Sequence, residues 1–120
     1  MVHILIVDDS PTDAYFVKSI LEAKGYQTTE ASNGEEGIQK AKEIKPNLII
    51  MDVVMPGLNG FQATRKITTN PETSSIPVII VSSKNMESDR VWGIRQGAKD
   101  FLVKPIKQEE LLQAIQKWLT

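Results

Sequence analysis

The sequence predicts an α/β domain, with five parallel strands in one sheet and helices on both faces. Three observations carry that prediction. Short apolar runs alternate with stretches of helical spacing along the whole chain. The helical stretches are about 11 to 13 residues long, enough to cross back over a parallel sheet. Four of the apolar runs also stop abruptly on a polar or charged residue, at Asp8, Asp52, Ser82 and Lys104. Open α/β sheets gather their ligands at such carboxyl ends.

The first strand is His3-Ile4-Leu5-Ile6-Val7, running into Asp8-Asp9. Ser10-Pro11-Thr12-Asp13 supplies helix-start chemistry. Ala14, Val17, Ile20 and Leu21 follow at helical spacing, with Lys24 in the last turn and Gly25 as the stop. Residues 26–31 form a more polar strand, expected near an edge. Asn33 and Glu36 have the spacing of a capping box, and the helix they open should reach Ile44, closed by Pro46. Asn47-Leu48-Ile49-Ile50-Met51-Asp52 is a third strand, apolar enough to be buried on both faces. After the Pro- and Gly-punctuated stretch 53–59, a helix covers about 60–69 and ends at Asn70-Pro71.

Residues 76–81 are a fourth apolar strand ending on Ser82-Ser83. Pro77 is tolerated near its start, where a missing donor matters least. Residues 86–96 form a helix of mixed character, stopped by Gly97. Asp100-Phe101-Leu102-Val103 is a fifth strand, ending on Lys104-Pro105, and the last helix puts Leu111, Leu112, Ile115 and Leu119 on one face. Five such units fit the flavodoxin-like, doubly wound strand order 2-1-3-4-5, an order adopted from known folds of this type, flavodoxin and CheY.

The totals narrow the function. A chain of 120 residues with 41% hydrophobic and 24% charged residues fits one domain, 1–120. A net charge of −1 gives no bulk attraction to nucleic acid or an anionic membrane. No apolar run approaches the roughly 20 residues of a membrane span, and the start lacks a signal peptide's basic region. There are no cysteines, which excludes disulfides, thiolate catalysis and Cys-based zinc sites. A cytoplasmic location is expected. The P-loop and dinucleotide patterns are absent.

A parallel sheet places all its carboxyl ends on one edge. Asp8, Asp9, Asp52, Ser82 and Lys104 would therefore share one mouth. Clustered carboxylates raise one another's pKa unless a cation neutralises them. An oxygen-only donor set favours a hard divalent ion, with Mg²⁺ the first choice. Lys104 adds a fixed positive charge for phosphoryl oxygens and Ser82 a hydroxyl donor. Asp52 can serve as a metal ligand, a nucleophile forming an acyl phosphate, or both. Taken singly, each residue has an ordinary reading: Asp8-Asp9 as helix caps, Ser82-Ser83 as a loop start, Lys104 as a solvated lysine.

The chain resembles the receiver domain of two-component response regulators, of the single-domain CheY type. The matching pieces are Ile6-Val7-Asp8-Asp9-Ser10, residues 51–60, Val78-Ile79-Ile80-Val81-Ser82-Ser83, and Gly97-Ala98-Lys99-Asp100-Phe101-Leu102-Val103-Lys104-Pro105. The resemblance implies that Asp52 is the phosphoacceptor, Asp9 a direct Mg²⁺ ligand, Asp8 one acting through water, and Val54 a ligand through its main-chain carbonyl. It implies that Ser82 and Phe101 form the switch, that Lys104 pairs with the phosphoryl group, and that Lys104-Pro105 is cis. Phe101 stands where the family often has Tyr, so a hydroxyl is missing there. Val54 and Lys84 fall where the family tunes loss of the phosphoryl.

The partners implied are a sensor histidine kinase of the CheA type as donor, and a downstream protein on the face formed by the fourth helix, fifth strand and fifth helix. No nucleic acid or membrane insertion is implied, and a monomer is expected. The chain ends at Thr120, so an attached output domain is not expected. A finer resemblance is to single-domain regulators of type IV pilus twitching motility. It rests on Asp8-Asp9-Ser10-Pro11-Thr12, residues 55–65, Glu72-Thr73-Ser74 and residues 91–98.

Three other functions compete: a phosphate sink without direct output, a Mg²⁺-dependent aspartyl phosphatase, and a flavin carrier. The phosphatase needs an acid two residues after Asp52, where Val54 stands. His3 is read as structural, Trp118 as packing, and Trp92 as either core or exposed. Tyr15 and Phe16 are adjacent and cannot share a helix face, so one of them should be exposed.

Overall fold

The computed structural model describes residues 1–119. The strands are β1 (His3–Val7), β2 (Gln27–Ala31), β3 (Leu48–Asp52), β4 (Val78–Ser82) and β5 (Asp100–Val103). The helices are α1 (Pro11–Ala23), α2 (Gly34–Ile44), α3 (Gly60–Thr69), α4 (Glu87–Arg95) and α5 (Gln108–Trp118). All strand pairs are parallel, in the order β2-β1-β3-β4-β5, as the sequence predicts. β2 lies at an edge, which accounts for its polar composition.

Two apolar layers hold the sheet, and period-two alternation divides the strand residues between them. Ile4, Ile6, Leu48, Ile50, Ile79 and Val81 face α1 and α5. Leu5, Val7, Ile49, Met51, Val78 and Ile80 face the layer containing Ala41 of α2 and Phe61, Ala63 and Ile67 of α3. Full burial of one such side chain contributes roughly 1.5–3 kcal/mol. α4 is the exception among the helices, since Gly93 is its one buried residue.

Local chemistry sets the helix starts. The Ser10 hydroxyl accepts from the Asp13 N–H at 3.3 Å, and Pro11 takes the first helical position. Asn33 Oδ1 accepts from the Glu36 N–H at 2.8 Å, but Glu36 accepts from the Ser32 N–H at 2.6 Å. The expected box on α2 is thus displaced by one residue. A complete box opens α3, between Asn59 and Gln62. Lys24 is the C-cap of α1 and not part of its last turn. The cap places Gly25 at φ +87°, a conformation glycine adopts without strain.

Tyr15 and Phe16 are both exposed. The buried stripe of α1 runs through Ala14, Val17, Ile20 and Leu21 and leaves room for neither ring. Trp92 is 50% exposed, which decides between its two readings. His3 pairs with the Thr29 hydroxyl at 2.6 Å and joins β1 to β2. Trp118 packs partly against the α1/α5 layer and its Nε1–H donates to Asp100 at 3.3 Å.

Candidate phosphoryl and metal site

The site is assembled from the ends of β1, β3, β4 and β5 and the loops after them. Asp8 and Asp9 follow β1 directly, and Asp8 accepts from the Ser10 N–H at 2.9 Å, which turns the chain into α1. Asp52 is the last residue of β3 and only 7% exposed. Gly60 makes the approach of α3 possible. A Cβ at Gly60 would collide with the Asp52 carbonyl oxygen, and its N–H donates to Val53 at 2.9 Å. Glu35 of α2 fixes the intervening loop by accepting the Leu58 N–H at 2.9 Å.

Asp8, Asp9 and Asp52 can each offer a carboxylate oxygen, all within 4.8 Å of one another. Lys104 Nζ lies 3.2 Å from Asp52 Oδ1, 3.3 Å from Asp8 Oδ2 and 2.8 Å from Asp13 Oδ2. The Lys104–Pro105 peptide is cis. Burial, followed by the neighbouring Asp8 carboxylate, pushes Asp52 from 3.8 up to about 6 against the pull of Lys104. Burial also raises Asp8, despite the Ser10 N–H and Lys104. Burial works against the Lys104 charge, but Asp13, Asp52 and Asp8 together hold its pKa above the usual lysine range.

This electrostatic pattern suits a bound cation. Two mostly buried carboxylates sit side by side, their charge only partly met by one ammonium. Their donor atoms are oxygens, which suits a hard ion such as Mg²⁺.

Ser82 is fully buried at the end of β4, and its hydroxyl oxygen accepts from the Lys84 N–H at 3.1 Å. That bond leaves its O–H proton available as a donor. Val54 is exposed in the loop after Asp52. Phe101 is buried in the α2/α3 layer, where its ring and Ile80 lie against Gly93 of α4. Arg90 of α4 donates to the Phe101 carbonyl at 3.0 Å. The structure therefore brings Asp8, Asp9, Asp52 and Lys104 into direct proximity, with Ser82 one residue beyond the β4 partner of Asp52. Asp13 is the site residue that sequence reasoning missed. Its role at the helix start hid its contact with a lysine 91 residues away.

Comparison with known proteins agrees with this geometry. The response regulator receiver domain family matches residues 4–116. Protein PilH of Pseudomonas aeruginosa is 56% identical over 115 residues, covering 96% of this chain and 95% of PilH. Chemotaxis protein CheY4 of Vibrio cholerae superposes with a TM-score of 0.92 at 30% identity, covering 98% of both chains. The receiver domain of a sensor histidine kinase from Pseudomonas aeruginosa, solved with a magnesium ion coordinated in its active site cleft, gives a TM-score of 0.90 at 30% identity. That match covers 98% of this chain and 96% of the kinase domain. The strand order, the acidic mouth and a match over nearly all of the sequence lead to one family: this chain is a member of the response regulator receiver domains.

Proposed function

We propose that this protein, acting as one receiver domain over 1–120, accepts a phosphoryl group on Asp52 from a histidine kinase and switches its affinity for a partner protein. The observation that carries the proposal is the meeting of three carboxylates within 4.8 Å of one another with the Lys104 ammonium 3.2 Å from Asp52. Asp8, Asp9, Asp52 and the Val54 main-chain carbonyl would hold Mg²⁺, an acid cluster typical of receiver domains. When bound, the ion supplies charge neutralisation for the carboxylates and the incoming phosphoryl oxygens.

The chain's own residues do the rest. An Asp52 carboxylate oxygen bonds to phosphorus as the P–N bond of a phosphohistidine breaks, and that bond's electron pair stays on the imidazole. Lys104 meets a phosphoryl oxygen with its positive charge. Ser82 turns its hydroxyl donor toward another, carrying the loop after β4 with it. The new group adds about −1.5 to −2 charges at a site already rich in acid. Phe101 and α4 respond, because Gly93, Phe101 and Arg90 couple that helix to β5.

α4 buries little and exposes Val91, Trp92 and Ile94, with Val103 of β5 also exposed, which supports an output face there. The similarity to PilH makes type IV pilus motility the first system to examine. No separate substrate is expected, nor a nucleic-acid partner. A monomer in the cytoplasm suits this reading, and no helix among the described residues is long and apolar enough to cross a membrane.

Intact-mass measurement after incubation with acetyl phosphate tests the proposal. The wild-type protein should gain one phosphoryl group with Mg²⁺ and none with a chelator, and Asp52→Asn should gain none. Retention of the gain in Asp52→Asn would move the acceptor elsewhere.

A further inference from the structure

Lys104 donates hydrogen bonds to Asp13 at 2.8 Å and to Asp8 at 3.3 Å, and its charge lies 3.2 Å from Asp52 Oδ1. An ammonium carries three N–H groups, and three carboxylate oxygens surround Nζ, from Asp13, Asp52 and Asp8. The shortest contact, 2.8 Å, goes to Asp13. Asp52 and Asp8 belong to the acidic cluster and Asp13 does not. Asp13 stands in the first turn of α1, where the Ser10 cap and Pro11 fix the backbone beneath it. Its side chain is 46% exposed and reaches Lys104 across the mouth of the site.

The three partners respond differently to loading. Asp8 and Asp52 would turn toward a divalent ion held by the acidic cluster, and their hold on the ammonium would weaken. A phosphoryl group on Asp52 asks Lys104 for at least one of its donors. Asp13 lies outside the cluster, so it keeps its claim on Lys104. Its charge also has the same sign as that of the phosphoryl group.

We propose that Asp13 is a positioning residue that holds Lys104 in the resting site and competes with the phosphoryl group for it, an inference that rests on Asp52 being the acceptor. Asp13 thereby favours the empty state and makes the loaded state weaker than Lys104 alone would make it.

Beryllium trifluoride, a non-covalent mimic of a phosphoryl group on a carboxylate, provides the test. Its affinity is measured by calorimetry at saturating Mg²⁺, so that changes in metal binding drop out. Asp13→Asn should bind it about twofold to fivefold more tightly than wild type, the span of a partly exposed ion pair. Asp13→Glu should return toward wild type. In a Lys104→Met background, Asp13→Asn should bring no gain, because the residue acts through Lys104. In the metal-free protein, the ¹⁵N signal of the Lys104 ammonium should shift and its protons exchange faster in Asp13→Asn.

Equal affinity in wild type and Asp13→Asn overturns the proposal. An equal gain with and without Lys104 overturns it as well, since repulsion alone would then explain the effect. If the wild type forms no adduct, or Asp52→Asn forms one, the acceptor assignment itself fails, while the metal-free ammonium signal still reports whether Asp13 holds the lysine.

Discussion

The bodies of the central strands and their carboxyl ends are buried alike but for opposite physical reasons. Along β3, Leu48, Ile49, Ile50 and Met51 are 3% exposed or less and stabilise the fold by leaving water. One residue later Asp52 is nearly as buried, and its charge is penalised. The same change occurs from Val7 to Asp8 in the adjacent β1 and from Val81 to Ser82 in β4. The strand bodies set stability, and the rim keeps a store of partly compensated negative charge that a cation can meet. Functional sites commonly hold perturbed carboxylates of this kind.

The comparison can be broken first in the strand bodies. Ile80→Ala should cost about 3–4 kcal/mol, because Ile80 is fully buried and its neighbours can close the cavity only in part. Urea unfolding would show this as a lower midpoint at unchanged slope. A cost under ~1 kcal/mol would mean that the layer under α4 is loosely packed.

The rim should respond in the opposite direction. Folding raises Asp52 from 3.8 to about 6, so the folded state keeps a proton that the unfolded chain releases. The contribution of this group is fully present below pH 3.8 and is lost as pH rises through about 6. Asp52→Asn should thus leave stability near pH 4 almost unchanged and raise it by ~1–3 kcal/mol at pH 7. Two unfolding curves, one at each pH, suffice. A destabilised Asp52→Asn at pH 7 would show that the Lys104 contact outweighs burial.

Magnesium should offset the same penalty. At about 100 times its dissociation constant it should stabilise the wild type by ~2.7 kcal/mol. Thermal unfolding with and without chelator measures this, and Asp9→Asn should lose most of the gain. An undiminished gain would place the ion elsewhere. The smallest effect concerns Thr64, whose buried hydroxyl has no hydrogen-bond partner among the described residues. Thr64→Val should be neutral or stabilise by up to ~1 kcal/mol.

The same contrast explains what was legible in the sequence. Apolar runs ending on acids marked β1 and β3 and their carboxyl ends. Helical spacing identified α1 and α5, and residues 86–96 read as a helix of mixed character without showing how little it buries. Harder to read were features set by distant or solvent-facing neighbours. The exposure of both Tyr15 and Phe16 depends on how α1 lies on the sheet. The Asn59–Gln62 box is hidden among loop residues, and the Asn33 box is shifted by a contact to Ser32. The Asp13–Lys104 contact joins opposite ends of the chain, where periodicity carries no information.

The most direct test of the central claim is to trap the phosphoryl group in place. After treatment with acetyl phosphate and Mg²⁺, borohydride reduces an aspartyl phosphate to homoserine, and peptide mapping locates the change. The account requires homoserine at position 52, formed only with Mg²⁺. Homoserine at another aspartate, or no Mg²⁺ dependence, would contradict it.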